Sequence, residues 1–152
     1  MPMPFEYQNA SMQFNQFMVD ARDYAGLATT NMAWNMVVGV LRTFRRRLPI
    51  REALRFGDVL PPVVRAIFLE NWDPDQLIRA FGSPEEWLAE VRAHRSEHNF
   101  SPDNAIQAVA AALRKQVDIS RFEPLLMSLP REAQHFWAVE KVQNIPTGRP
   151  TA

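Results

Sequence analysis

The chain of 152 residues contains no cysteine, which excludes disulfides, thiolate metal sites and thiol chemistry together. Glycine is scarce, five residues in all, and neither a glycine-rich phosphate loop nor a G-x-S-x-G nucleophile elbow occurs. Net charge is absent as well: seventeen basic residues balance seventeen acidic ones, so no broad attraction to nucleic acid or an anionic membrane is indicated. No stretch approaches the ~18 apolar residues of a spanning helix. The start, Met1 to Glu6, lacks a basic segment followed by an apolar run. These absences lead to the expectation of a cytoplasmic location and no membrane. No alternating apolar and polar pattern of the kind strands require appears either, so the expected fold class is all-α.

What the chain does have is 47% hydrophobic residues, enough for a real core, arranged in a pattern that occurs twice. Phe17, Met18, Ala21 and Tyr24 open one copy at helical spacing, and Trp87, Leu88, Val91 and His94 open the other. The second helices align as Ala33, Trp34, Val37, Val38, Val40 and Leu41 against Ala105, Ile106, Val109, Ala110, Ala112 and Leu113. Their apolar surface is wide, which predicts burial on two sides. Thr29 or Thr30 in the first copy, and Ser101 with Pro102 in the second, provide the hydroxyl and proline of helix starts. Leu48-Pro49-Ile50 and Val117-Asp118-Ile119 then lead into third helices containing Phe56 and Leu125. Leu60-Pro61 and Leu129-Pro130 begin fourth helices.

Between the copies, Asp73 can cap, Pro74 can take the first helical position and Gln76 completes a capping box, so a short linker helix is expected up to Gly82. Ser83 and Glu86 repeat that start signal for the second copy. The predicted organisation is a flexible N-terminus over 1–9, repeat one over 10–72, a linker helix over 73–82, repeat two over 83–143 and a flexible tail over 144–152. Each copy of three to four helices is small, which favours the two packing as one helical bundle.

The order of a helix ending near Ala25-Gly26-Leu27, an arginine-rich helix end from Leu41 to Pro49, the block Asp58 to Phe68 and then Asn71-Trp72 resembles the bacterial domain of unknown function 2267. The likeness continues from Glu86 to Trp137 through Leu129-Pro130-Arg131. It implies tandem helical repeats and a bacterial origin, and it carries over no catalytic residue.

Three features escape the repeat logic. His94-Arg95-Ser96-Glu97-His98 fits the H-x-x-E-H pattern, in which two helical histidines bind zinc and the glutamate handles water. A third ligand would have to come from His135, Glu90, Asp103 or another carboxylate. The competing reading places His94 and His98 on the apolar stripe that Trp87 and Val91 begin, as scaffold, and no metal or cofactor is assigned. Arg42, Arg45, Arg46, Arg47, Arg51 and Arg55 form a basic burst that could grip phosphate, with Phe44 or Phe56 stacking on a base. The same residues also complement a helix C-terminus. Excess large apolar residues, Met12, Phe14, Trp34, Met36, Phe44, Trp137, Val139 and Val142, point to a partner face, with Trp34, Phe44 and Trp137 as interface candidates and a homodimer as the concrete guess. The reading preferred is a non-enzymatic interaction or structural module. The alternatives are a phosphate or nucleic-acid binder using the arginines and a metal-dependent hydrolase using His94, Glu97 and His98.

Overall fold

In a computed structural model that describes residues 2–140, the chain is all-helical, with no strand among the described residues. A short helix α1 (Phe5–Gln8) forms where the sequence offers no helical pattern, and its Phe5 stays exposed. Helix α2 (Ala10–Ala25) turns Phe17, Met18 and Ala21 inward. It stops at Gly26, whose φ of 75° allows Leu27 N–H to reach back to the Arg22 carbonyl at 3.0 Å.

Thr29 Oγ1 accepts from Met32 N–H at 3.1 Å and starts α3 (Thr30–Arg45). This helix is central: it packs on α2, α5, α6 and α7, and Ala33, Met36, Val37, Val40, Leu41 and Phe44 are all fully buried. The two-sided burial inferred from its apolar surface is what forms. Helices α4 (Ile50–Asp58) and α5 (Pro62–Leu69) follow Pro49 and Pro61, both at N-cap positions with extended backbone.

Residues 70–83 carry no helix. The expected linker helix over 73–82 is therefore corrected: Asp73 Oδ1 accepts from Asp75 N–H at 2.9 Å in a local turn, and the chain then reaches Ser83 without helix, Gly82 taking a left-handed φ of 69°. Helix α6 (Pro84–Ala93) begins with the capping box expected of Ser83 and Glu86. Helix α7 (Ala105–Arg114) starts at Asn104, so Ser101 and Pro102 lie before the helix and do not cap it. Asp118 caps α8 (Ile119–Met127), and α9 (Arg131–Phe136) follows Pro130.

The two halves of the chain share one core. The alanines of α7 let α2 lie close along it, and Gln13 Nε2 to Gln116 O (3.1 Å), Asn104 Nδ2 to Tyr24 O (3.0 Å) and Lys115 to Asp20 (3.4 Å) lace the pair. Gly39 brings α6 against α3, where a Cβ would lie 2.8 Å from the Val91 carbonyl oxygen. Phe44 from the first half meets Phe136 at 5.0 Å and Trp137 at 5.4 Å between ring centroids, and Phe56 stacks on Trp137 at 5.5 Å. No helix among the described residues is long and apolar enough to cross a membrane. Val142 and the predicted tail over 144–152 lie outside the described residues.

Candidate functional site

The arginines that end α3 divide between core and surface, which dismantles the phosphate grip suggested by their spacing. Arg45 is buried; its Nη1 donates to the carbonyls of Phe68 (2.8 Å) and Glu70 (2.9 Å), and its guanidinium lies 5.4 Å from the Trp72 ring centroid. Burial, with the charge of Arg42 beside it, pulls Arg45 down to about 10. Arg47 is buried too, donating to Thr43 O (2.8 Å) and Phe81 O (3.0 Å) and pairing with Glu90 at 3.0 Å. Arg42 pairs with Glu70 at 3.1 Å, and Arg55 donates to Ser128 Oγ at 3.2 Å. Arg46 is half-buried near Glu90, and Arg51 is exposed on α4. The buried members hold the end of α5 and the linker against α3. The expected anion site over Arg42, Arg45, Arg46, Arg47 and Arg51 is corrected in this respect: Arg45 and Arg47 are buried on backbone carbonyls, and Arg42 and Arg46 face carboxylates.

The H-x-x-E-H segment does not lie on one helix. Helix α6 ends at Ala93, Arg95 adopts a left-handed φ of 49°, and Ser96–His98 is a single 3-10 turn. Asn99 Nδ2 donates to the carbonyls of Val91 and His94, both at 2.8 Å, and this closes the helix before the motif can present two histidines on one face. The shared stripe proposed for His94 and His98 is corrected by the same break. His94 is half-buried, and burial, Arg42 and Arg95 in that order lower its pKa. Glu97 and His98 are exposed. Among the described residues no three histidine, aspartate or glutamate side chains stand close enough to hold a metal ion.

Two of the three interface candidates are core residues. Phe44 and Trp137 are fully buried, so neither can meet a partner, and Met36 is buried with them. Their size reflects a core built across both halves, which one helix's pattern does not distinguish from an interface. Trp34 is 40% exposed and stands edge-on to Phe14, at 6.3 Å between centroids, over a shallow groove between α2 and α3.

A cleft of about 440 Å³ is lined by Trp87, Leu88, Ile106 and His135 together with polar residues that include Asp103 and Asn104. Two of the polar groups are engaged locally: Asp103 pairs with Arg92 at 2.8 Å, and Asn104 donates to Tyr24 O. Nothing in this arrangement sets a nucleophile against a base.

A different surface was not anticipated from the sequence. Ile50 on α4 faces Leu77 and Ile78 of the linker across a cleft of about 220 Å³, floored by Leu48 and Trp72. Leu77 is 86% exposed, and Ile50, Leu54 and Ile78 are each at least 42% exposed. Leu54 stands one helical turn beyond Ile50. Arg45 and Arg46 at the end of α3, with Pro49, Pro74 and Gln76, complete its lining. Leu77 and Ile78 lie in the segment that carries no helix.

An uncharacterized conserved protein family (DUF2267) matches residues 14–136, which span all of the chain from within α2 to the end of α9. No curated protein matches the chain.

Proposed function

We propose that this chain, which belongs to the DUF2267 family, is a non-enzymatic interaction module that docks a protein through the apolar edge formed by Ile50, Leu54, Leu77 and Ile78. The observation that carries this reading is Leu77, 86% exposed on a linker that is otherwise pinned to the body of the fold. Arg79 N–H donates to Arg46 O at 3.0 Å and Arg47 Nε to Phe81 O, so the loop that presents Leu77 and Ile78 is anchored at its far end. An apolar pair on a fixed loop is exposed at a cost in water that docking would relieve.

The two-copy organisation, 10–72 and 83–143 with a linker between, belongs to the same reading. It is supported by the full burial of Val37 and Leu41 in α3 and of the aligned Val109 and Leu113 in α7. The linker that joins the copies is then the element that carries the docking residues, and the surrounding helices serve to hold it.

The test is a photo-activatable amino acid placed at position 77 of the full chain and irradiated in the cells that express it. A discrete protein adduct, absent when the probe replaces exposed Ala66 on α5, is the expected result. Equal labelling from both positions, or none from position 77, would overturn the proposal.

A further inference from the structure

We infer that the protein segment docked in the cleft between α4 and the linker carries a carboxylate beside an apolar side chain, and that this carboxylate binds Arg45. The inference rests on the docking reading above and names the chemistry of the partner. Of Arg42, Arg45, Arg46 and Arg47, only Arg45 has no carboxylate within ion-pair reach among the described residues: Glu70 faces Arg42, and Glu90 faces both Arg46 and Arg47. Yet Arg45 is only 5% exposed. Its Nη1 is spent on the Phe68 and Glu70 carbonyls, while neither Nε nor Nη2 has an acceptor among the described residues. Nε is sealed from solvent; Nη2 is not among the sealed atoms and is the donor left for an incoming group. Two carbonyls and the face of Trp72 set only partial charges against a full one. Burial and Arg42 pull Arg45 down to about 10, so the cation still persists at neutral pH. A carboxylate brought to it would be held by a charge-assisted hydrogen bond at low dielectric.

The walls decide the rest. Leu48, Ile50, Trp72, Leu77 and Ile78 line the same cleft as Arg45, and no acidic residue does. Arg46, the second cation of the lining, shares Glu90 with Arg47 and Arg79 and adds to the attraction for a negative group. Apolar walls suit a single negative charge on an apolar body and leave little to stabilise the further charge of a phosphate. At about 220 Å³ the cleft falls below the ~300 Å³ at which small-molecule sites begin, so it fits side chains of a larger partner rather than a whole ligand.

Proton–nitrogen spectra of the full chain test this through the Arg45 Nε–H and the Trp72 indole N–H, assigned by their loss in Arg45→Lys and Trp72→Phe. The probe is isovalerate, a carboxylate on a branched apolar body. Isovaleramide, with the same body and no charge, and acetate, with the charge and almost no body, are the comparisons at matched ionic strength. Isovalerate is expected to shift both signals saturably, with an apparent affinity at least fivefold above that of either comparison. Leu77→Ser, in an exposed loop, should weaken isovalerate at least threefold with an unchanged far-ultraviolet spectrum. An equal response to isovaleramide or acetate, no response to isovalerate, or indifference to Leu77→Ser would overturn the inference, whereas an adduct from position 77 would still leave the docking reading standing. An isovalerate response from a chain that forms no adduct at position 77 would overturn the docking reading, and with it the assignment of the carboxylate to a docked protein.

Discussion

Arg47 and Glu90 join the end of α3 to α6 across the start of the second half, with Nη2 to Oε1 at 3.0 Å and the arginine side chain only 2% exposed. The same guanidinium donates to Thr43 O and Phe81 O, so three acceptors on three segments depend on one planar fork. Lysine offers a point charge on a flexible stem and cannot reproduce three divergent bonds. Arg47→Lys is expected to lower stability by about 2–4 kcal/mol, the cost of leaving buried acceptors without donors. Arg46, 34% exposed and 3.6 Å from the same carboxylate, provides the comparison. Arg46→Lys should cost less than about 1 kcal/mol, because its contact is longer, its side chain is partly in solvent and it holds no backbone carbonyl. Urea midpoints of the two variants test this, and equal shifts would refute the ranking.

Gly39 offers a prediction in which two effects have opposite signs. In a helix interior alanine is favoured over glycine by about 1 kcal/mol, so propensity alone makes Gly39→Ala stabilising. The new Cβ, however, would lie 2.8 Å from the Val91 carbonyl oxygen and 3.3 Å from Val91 Cγ1. The nearest atom is backbone in the last turn of α6, where Asn99 Nδ2 also holds the Val91 carbonyl at 2.8 Å, so it cannot swing aside freely, and overpacking of this kind costs about 1–3 kcal/mol. The steric effect should win, with the thermal midpoint of Gly39→Ala below that of wild type. A raised midpoint would mean that α3 and α6 are not in such close approach.

Much of this fold was legible because the signals were local. The α3 stripe of Val37 and Leu41, the capping box of Ser83 and Glu86, and the helix starts after Pro49, Pro61 and Pro130 all form as their residue types dictate. The misses share a cause, which is competition from distant groups. Asp73, Pro74 and Gln76 carry a helix-start signal, but Arg79 N–H is taken by Arg46 O, and Phe81 O accepts from both Arg47 and Trp87 Nε1. A helix of about ten residues has too little stability of its own to compete. Likewise the two histidines stand at helical spacing, yet Asn99 captures the carbonyls that would have continued α6. The candidate docking edge was unreadable for a further reason: Leu77 and Ile78 fall in a segment with a helix-start signal, and that segment is not helical. The burial of Phe44 and Trp137 depends on both halves sharing one aromatic core, a relationship between residues far apart in the chain.

His94 makes the stability of the protein depend on pH in a definite direction. Its pKa is lowered, first by burial and then by the charges of Arg42 and Arg95, so the folded state favours the neutral imidazole. The unfolded chain, with an ordinary histidine pKa of about 6.5, binds more protons than the folded one just below that pH. Stability is therefore complete above about pH 6.5, falls as pH drops from there to the folded pKa, and levels off below it. Glu86 and Asp118, lowered chiefly by hydrogen bonds from Ser83 and Ser120, act in a separate window below about pH 4. Replacing His94 with glutamine removes the titration while keeping a polar side chain of similar reach. Thermal midpoints measured from pH 7.5 down to 5 should fall more steeply for wild type than for His94→Gln, with the curves separating near pH 6.5. Parallel curves would mean that His94 titrates alike in the folded and unfolded chain, and a wild type that gains stability on acidification would reverse the sign argued from its burial.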